Sequence, residues 1–297
     1  MFVQPLRQQT AELELLSPEE VAQQLERYRE QHQQQMPTAE STPEAFLEAL
    51  KYFNLLIHTG AYQRAAEWLR SLENPLQGAL EMAEQGSDTH TPLIELKLEW
   101  NTLVMRFLSP RTDEFSEYPY FAEGIALTDK ATGMLHMRHL QLKLGLVNNY
   151  LQWLTMGGNR EALPDAQRAY LNELYQNIEQ DTRASIKRFE EADEYSYSIP
   201  LKRSLGRFLM QTTQHKAGFE LLEEVVKDIA QHPDYSTTDE ADLRMEVGQL
   251  LAHFEQTERA LEHFRTAHTQ YQAAGEDFEI FAAQAEGWVE ELEAQQG

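Results

Sequence analysis

Cysteine is absent from the 297 residues, which excludes disulfides, thiolate nucleophiles, Cys-ligated zinc and iron–sulfur clusters. Positive charge is scarce: 25 Lys plus Arg stand against 49 Asp plus Glu, a formal charge of −24 with His neutral. So anionic a surface repels phosphate backbones, whereas nucleic-acid binding begins with a basic patch that releases counterions. Nucleic acid and anionic membrane are therefore not expected partners. No uncharged run of 18 residues occurs, and the opening Met1-Phe2-Val3-Gln4-Pro5-Leu6 has no apolar stretch of signal-peptide length. Neither a membrane span nor secretion is expected, and the location expected is cytoplasmic. Also missing are a Gly-rich phosphate loop, G-x-S-x-G, H-E-x-x-H and a Glu-x-x-His pair, so no enzyme class announces itself and no cofactor is expected.

Glycine and proline are sparse as well, 14 and 11, and apolar residues recur three and four apart almost throughout, which predicts an all-α fold. Ser17-Pro18-Glu19-Glu20 reads as a capping box opening a helix with Val21, Leu25 and Tyr28 on one face. The polar run His32-Gln33-Gln34-Gln35, then Met36-Pro37 and Ser41-Thr42-Pro43, reads as a linker with Thr42 capping the next helix. Residues 1–41 are thus expected to form an N-terminal helical arm and linker, and 42–297 a helical domain. Further breaks are expected at Thr59-Gly60, at an irregular aromatic and acidic segment over 109–124 that starts at the Ser109-Pro110 stop, at Gly157-Gly158-Asn159 and at Tyr195–Pro200. Pro164 opens a pattern fitting either one long helix or two end to end.

Internal periodicity is stronger than any local motif. Val247-Gly248 is followed by Leu251, Ala260, Phe264 and Ala267, and Leu205-Gly206 is followed at identical offsets by Leu209, Gly218, Leu222 and Val225. The two glycines lie 42 residues apart. A third set, Phe53, Leu56, Ala65, Leu69 and Leu72, has Phe where the others have Gly. These spacings resemble the tetratricopeptide repeat, with about eight residues added per unit at His232–Ser236. The resemblance covers about 100 residues; Arg244 and Lys202 stand where the family usually has Trp, and Gln272 where it usually has Pro. It implies antiparallel helix hairpins stacked into a superhelix whose first helices line a concave groove. The closing segment, with Phe278, Phe281, Ala285, Trp288 and Leu292 on one face and Glu279, Glu286, Glu290 and Glu293 on the other, suits a capping helix. Its acidic polar face argues against a membrane surface.

In that register the scarce cations become informative. Arg203 and Arg207, one turn apart, point into the groove with Lys202 beside them; the corresponding offsets of the first hairpin add Lys51, Asn54 and His58, and Lys143 and Asn149 are candidates from the middle of the chain. A cationic groove within an anionic shell suits an acidic peptide or a C-terminal carboxylate. His136 and His139 share a helical face but are two ligands without a third, and no metal is expected. Acidic runs at Glu190–Glu194 and Asp239–Asp242 lack the alternation of a calcium loop and read as solvated faces. Tyr118–Phe121, Tyr195 and Tyr197 read as packing residues, with recognition loops as the alternative. The expectation is a non-catalytic scaffold or adaptor that binds a protein or peptide. A ligand- or peptide-sensing receptor whose arm moves is the alternative. An all-helical enzyme using carboxylates with His136 or His139 has composition alone behind it.

Overall fold

A computed structural model describes residues 2–14, 16–32, 36–83, 87–108 and 115–295. The run Gln33–Gln35 and the Ser109-Pro110 stop lie outside the described residues. The fold is all-helical: α1 (Gln4–Glu14), α2 (Pro18–His32), α3 (Pro43–His58), α4 (Tyr62–Ser71), α5 (Glu73–Met82), α6 (His90–Phe107), α7 (Tyr118–Leu127), α8 (Gly133–Thr155), α9 (Asp165–Glu191), α10 (Tyr195–Met210), α11 (His215–Gln231), α12 (Thr237–His253), α13 (Thr257–Ala274) and α14 (Glu279–Ala294). No strand occurs among the described residues, and no described helix is long and apolar enough to cross a membrane. The chain divides into two compact units, Met1–Asp129 and Lys130–Gly297.

In the first unit α1 and α2 both pack on α3. Val3, Leu6, Leu13, Val21 and Leu25 are buried, and Asn54 of α3 donates to Thr10 Oγ1 at 2.8 Å. The helices of residues 1–41 thus pack on α3 within the first unit. The Ser17 capping box forms, with Ser17 N–H donating to Glu20 at 2.8 Å. Thr42, in contrast, makes no capping bond through its side chain; Pro43 at the first helical position needs no partner for a missing N–H. The break at Thr59-Gly60 is as expected, Gly60 adopting φ 74°, a left-handed conformation open to glycine without strain. The aromatic segment expected to be irregular becomes helical from Tyr118, with Pro119 in the first turn.

In the second unit α9 is one helix of 27 residues. α10 starts at Tyr195, where a break was expected, and carries Pro200 inside it; the Pro200 carbonyl accepts from Ser204 Oγ at 2.9 Å. α12 opens with a capping box in which Ser236 Oγ accepts from Asp239 N–H at 3.1 Å. α10 packs on α11, α11 on α12, α12 on α13 and α13 on α14. One continuous apolar core runs through these five helices, including Leu222, Val225, Val247, Leu251, Phe264, Ala267, Ala285 and Leu292.

The glycines explain how the hairpins close. A Cβ on Gly248 would fall 2.7 Å from Phe264 Cε1, and one on Gly206 would fall 2.8 Å from Leu222 Cγ and 3.4 Å from the Gly218 carbonyl oxygen. Gly206 and Gly248 are buried and face the second helix of their own hairpin. Ala260 is fully buried, and the Phe264 ring fills the space over Gly248. In α10–α11 it is Gly218 that lies opposite Gly206.

Candidate functional site

The face of α10 that carries Arg203 and Arg207 meets α12 through one carboxylate. Arg203 Nε and Nη2 donate to Glu246 Oε2 at 2.9 and 2.5 Å; Arg207 Nη2 donates to the same oxygen at 2.6 Å and its Nε to Glu246 Oε1. Burial pushes the Glu246 carboxyl up, but the Arg207 hydrogen bond and both guanidinium charges outweigh this and hold it below the usual carboxylate range. Glu246 is 16% exposed, Arg203 35% and Arg207 50%. Two guanidinia on one carboxylate leave one unit of positive charge, carried on side chains that are part exposed. Tyr195 and Tyr235 each pack against the His232 ring, at centroid distances of 5.6 and 5.8 Å.

Lys202 does not join this pair. One residue along a helix is a turn of about 100°, and its ammonium is buried between α9 and α11, where it donates to Glu224 at 2.6 Å and Asp228 at 2.8 Å and pairs with Glu190. Burial would pull this lysine down; its hydrogen bonds to Asp228, Glu190 and Glu224 raise it instead. The three carboxylates have the closeness of a cation site, their oxygens all within 4.8 Å of one another, and the Lys202 ammonium is the cation they surround.

The other expected residues are distributed as follows. In the first unit Lys51 pairs with Glu48 at 2.8 Å, Asn54 is buried on Thr10, and His58 Nδ1 donates to the Asn54 carbonyl at 2.8 Å. In the second unit Asn149 Nδ2 donates to Gly145 O of its own helix at 2.9 Å. Lys143 follows His136 by seven residues on α8, and His136 meets Ser185 of α9. The α10 side of α8 is taken by Gln141, which donates to Ser204 Oγ at 3.1 Å.

Sequence reasoning missed Glu246 altogether. It lies 43 residues beyond Arg203, almost one repeat interval, so the signal was available in the position two before Gly248. Also missed was a bond between the two hairpins' second helices: His263 Nε2 and Arg259 Nη2 each lie 3.0 Å from Glu223 Oε1. The His263 hydrogen bond comes first and overcomes burial, and with Arg259 it draws the Glu223 carboxyl down to about 2. His136 and His139 stack at 6.4 Å. The nearby cations Arg188 and Lys143 act on His136 and oppose a metal there.

The chain matches no protein-family model, and no curated protein matches it.

Proposed function

We propose that the chain is a non-catalytic, tetratricopeptide-like scaffold or adaptor of the cytoplasm, its hairpins stacked as a superhelix, that holds an acidic segment or C-terminal carboxylate of a partner protein against α10 and α12. The observation that carries this reading is the Arg203–Glu246–Arg207 cluster. Glu246 orients two guanidinia before any partner arrives and leaves them with a surplus positive charge, in a protein whose formal charge is −24. A guanidinium fork held in place matches a carboxylate in geometry as well as in charge. The equal offsets of the α10–α11 and α12–α13 hairpins support the repeat, since all the equivalent positions are buried.

The test is binding to an array of peptides with acidic C-termini, read by fluorescence anisotropy at two salt concentrations. Arg203→Gln with Arg207→Gln alone would orphan a partly buried carboxylate, so Glu246→Gln is added to keep the fold. Binding that weakens in high salt and falls by about tenfold or more in this triple variant is expected, two charge-assisted contacts being lost. Equal binding by the triple variant, or none by the wild type across the array, removes the site.

A further inference from the structure

α14 has one face committed to the core and the other open. Ala282, Ala285 and Leu292 are buried in the core shared with α13, and Phe281, Trp288 and Val289 pack on the same side. At about 100° of turn per residue, Ile280, Ala283, Gly287 and Ala294 fall on the opposite side. All four are exposed, Ile280 by 63%. A helix with one face on a core is expected to be polar on its outer face. Here the middle of that face is apolar or small, and a Cβ added at Gly287 would have nothing within 4 Å.

Carboxylates edge this strip, Glu279, Glu286 and Glu290 on one side and Glu291 on the other. Little positive charge answers them. α14 contains five Glu and no Lys, Arg or His, and among the described residues its one ion pair joins Glu293 to Arg265 of α13. Other helices of the protein pair such carboxylates internally, as Glu48–Lys51, Glu179–Arg183 and Glu240–Arg244 do. In α14, by contrast, Glu286 and Glu290 stand four apart with like charge, and Glu290, Glu291 and Glu293 crowd the negative end of the helix dipole. Both placements weaken the helix, and both are relieved by positive charge supplied from outside. Along the Glu279–Glu286 edge, a cavity of about 370 Å³ between α13 and α14 is lined by His268, Gln272, Glu276, Glu279, Ala283 and Glu286. Glu279, Ala283 and Glu286 belong to both features, so strip and cavity form one continuous surface. The His268 ring is held in the cavity wall by Nδ1, which donates to the Ala282 carbonyl at 2.9 Å.

We propose that the outer face of α14 docks a basic amphipathic helix of a partner protein. Apolar side chains of that helix, recurring three and four apart, lie along Ile280, Ala283 and Gly287, where small residues let two backbones approach closely. Its flanking Lys and Arg side chains meet Glu286, Glu290 and Glu291, and one long cationic side chain enters the cavity between Glu276, Glu279 and Glu286. A second copy of this chain is the poorer occupant, because its own α14 brings the same uncompensated carboxylates to the contact. The surface is separate from the Arg203–Glu246–Arg207 cluster and selects the opposite charge.

The test adds synthetic peptides to the full chain: a lysine-rich amphipathic helix with leucines three and four apart, the same residues in scrambled order, and the same helix with glutamate for lysine. Fluorescence anisotropy reads affinity, and the Ile280 methyl resonances in NMR read position. Saturable binding of the patterned helix with a shift at Ile280 is expected, and binding about tenfold or more weaker for the scrambled and acidic peptides. Glu286→Lys/Glu290→Lys is expected to lose about tenfold or more through charge, and Gly287→Gln a similar factor by standing a side chain in the line of approach. All three positions are exposed, and retained helical circular dichroism identifies the losses as losses of contact. Equal binding of the scrambled peptide would mean a diffuse charge effect and overturns the proposal, as does full-strength binding by Gly287→Gln or no saturation by the patterned helix. A dimer of the chain alone in sedimentation, abolished by Gly287→Gln, would put a second copy on this face and equally overturn it. The Arg203→Gln/Arg207→Gln/Glu246→Gln variant is expected to bind the basic helix normally, so this surface and the carboxylate site fail separately.

Discussion

The α3–α4 hairpin of the first unit and the α10–α11 and α12–α13 hairpins of the second place buried side chains at the same offsets but close by different means. Leu56, Ala65, Leu69 and Leu72 correspond to Leu209, Gly218, Leu222 and Val225 and to Leu251, Ala260, Phe264 and Ala267, and all are buried. At the zero position the first hairpin has Phe53, fully buried and edge-on to Phe107 at 5.5 Å, where the others have glycine under a neighbouring side chain. The ties differ too. In the first unit aromatic side chains do the joining: Trp68 Nε1 donates to Ala49 O and Trp100 Nε1 to Leu69 O, each at 2.8 Å, and Tyr28, Tyr52 and Trp68 pack in succession. In the second unit ring contacts such as Phe264 on Trp288 are joined by ion pairs centred on Lys202, Glu223 and Glu246, where the first unit has Lys97–Glu123 at 3.2 Å. A shared spacing thus specifies which residues are inside a hairpin, while the residue at the zero position decides how the two helices approach.

The sharpest way to break this comparison is Phe53→Ala. If Phe53 is the spacer of its hairpin, removing it leaves a cavity worth about 3–5 kcal/mol. Urea unfolding followed by hydrogen exchange, which resolves the two units, is expected to show the loss in α3, α4 and α6 and not in α10–α14. A loss below about 1 kcal/mol, the size of a surface substitution, would mean that Phe53 is no spacer.

The contrast between aromatic and ionic ties is tested with acid. Glu223 is depressed from an ordinary value of 4.5 to about 2, so its contribution is fully present above about pH 4.5 and is lost as pH falls through about 2. Glu223 is 28% exposed; allowing for screening, the loss is of order 1–2 kcal/mol. Exchange protection in α11 and α13 is expected to fall over that window and in the Glu223→Gln variant to become flat across it. A wild-type profile as flat as the variant's would remove the ionic tie from the account.

Much of this was legible in the sequence, and the rest was not for identifiable reasons. The spacing of Leu205, Leu209, Leu222 and Val225 reports burial within one hairpin, which is a local property, and it was read correctly. α1 and α5 went unread because both are short: α5 has three buried residues, Leu76, Ala79 and Leu80, on ten, too few to set a period. The 118–124 segment looked irregular for its Pro119 and tyrosines, yet Pro in a first turn favours a helix. The site was half legible. That Arg203 and Arg207 share a face follows from their spacing. That both meet Glu246, and that Lys202 is enclosed by Glu190, Glu224 and Asp228, depends on which helices pack together, and no spacing within α10 carries that information.

The smallest effects sharpen the comparison most, because they isolate the glycine itself. Gly248→Ala gains up to about 1 kcal/mol of helix propensity but forces its methyl to 2.7 Å from a ring that is itself stacked on Trp288 at 5.4 Å and cannot easily withdraw. The overpacking cost of about 1–3 kcal/mol then leaves a net destabilisation of up to about 2 kcal/mol. Gly287 in α14 has nothing within 4 Å of an added Cβ, so Gly287→Ala keeps the propensity gain and is expected to stabilise by about 0.5–1 kcal/mol. Opposite signs in matched urea melts identify the close approach at Gly248 as the reason for glycine there. If both alanines stabilise, Phe264 yields freely, and the glycine is no more than a weak point in an ordinary helix.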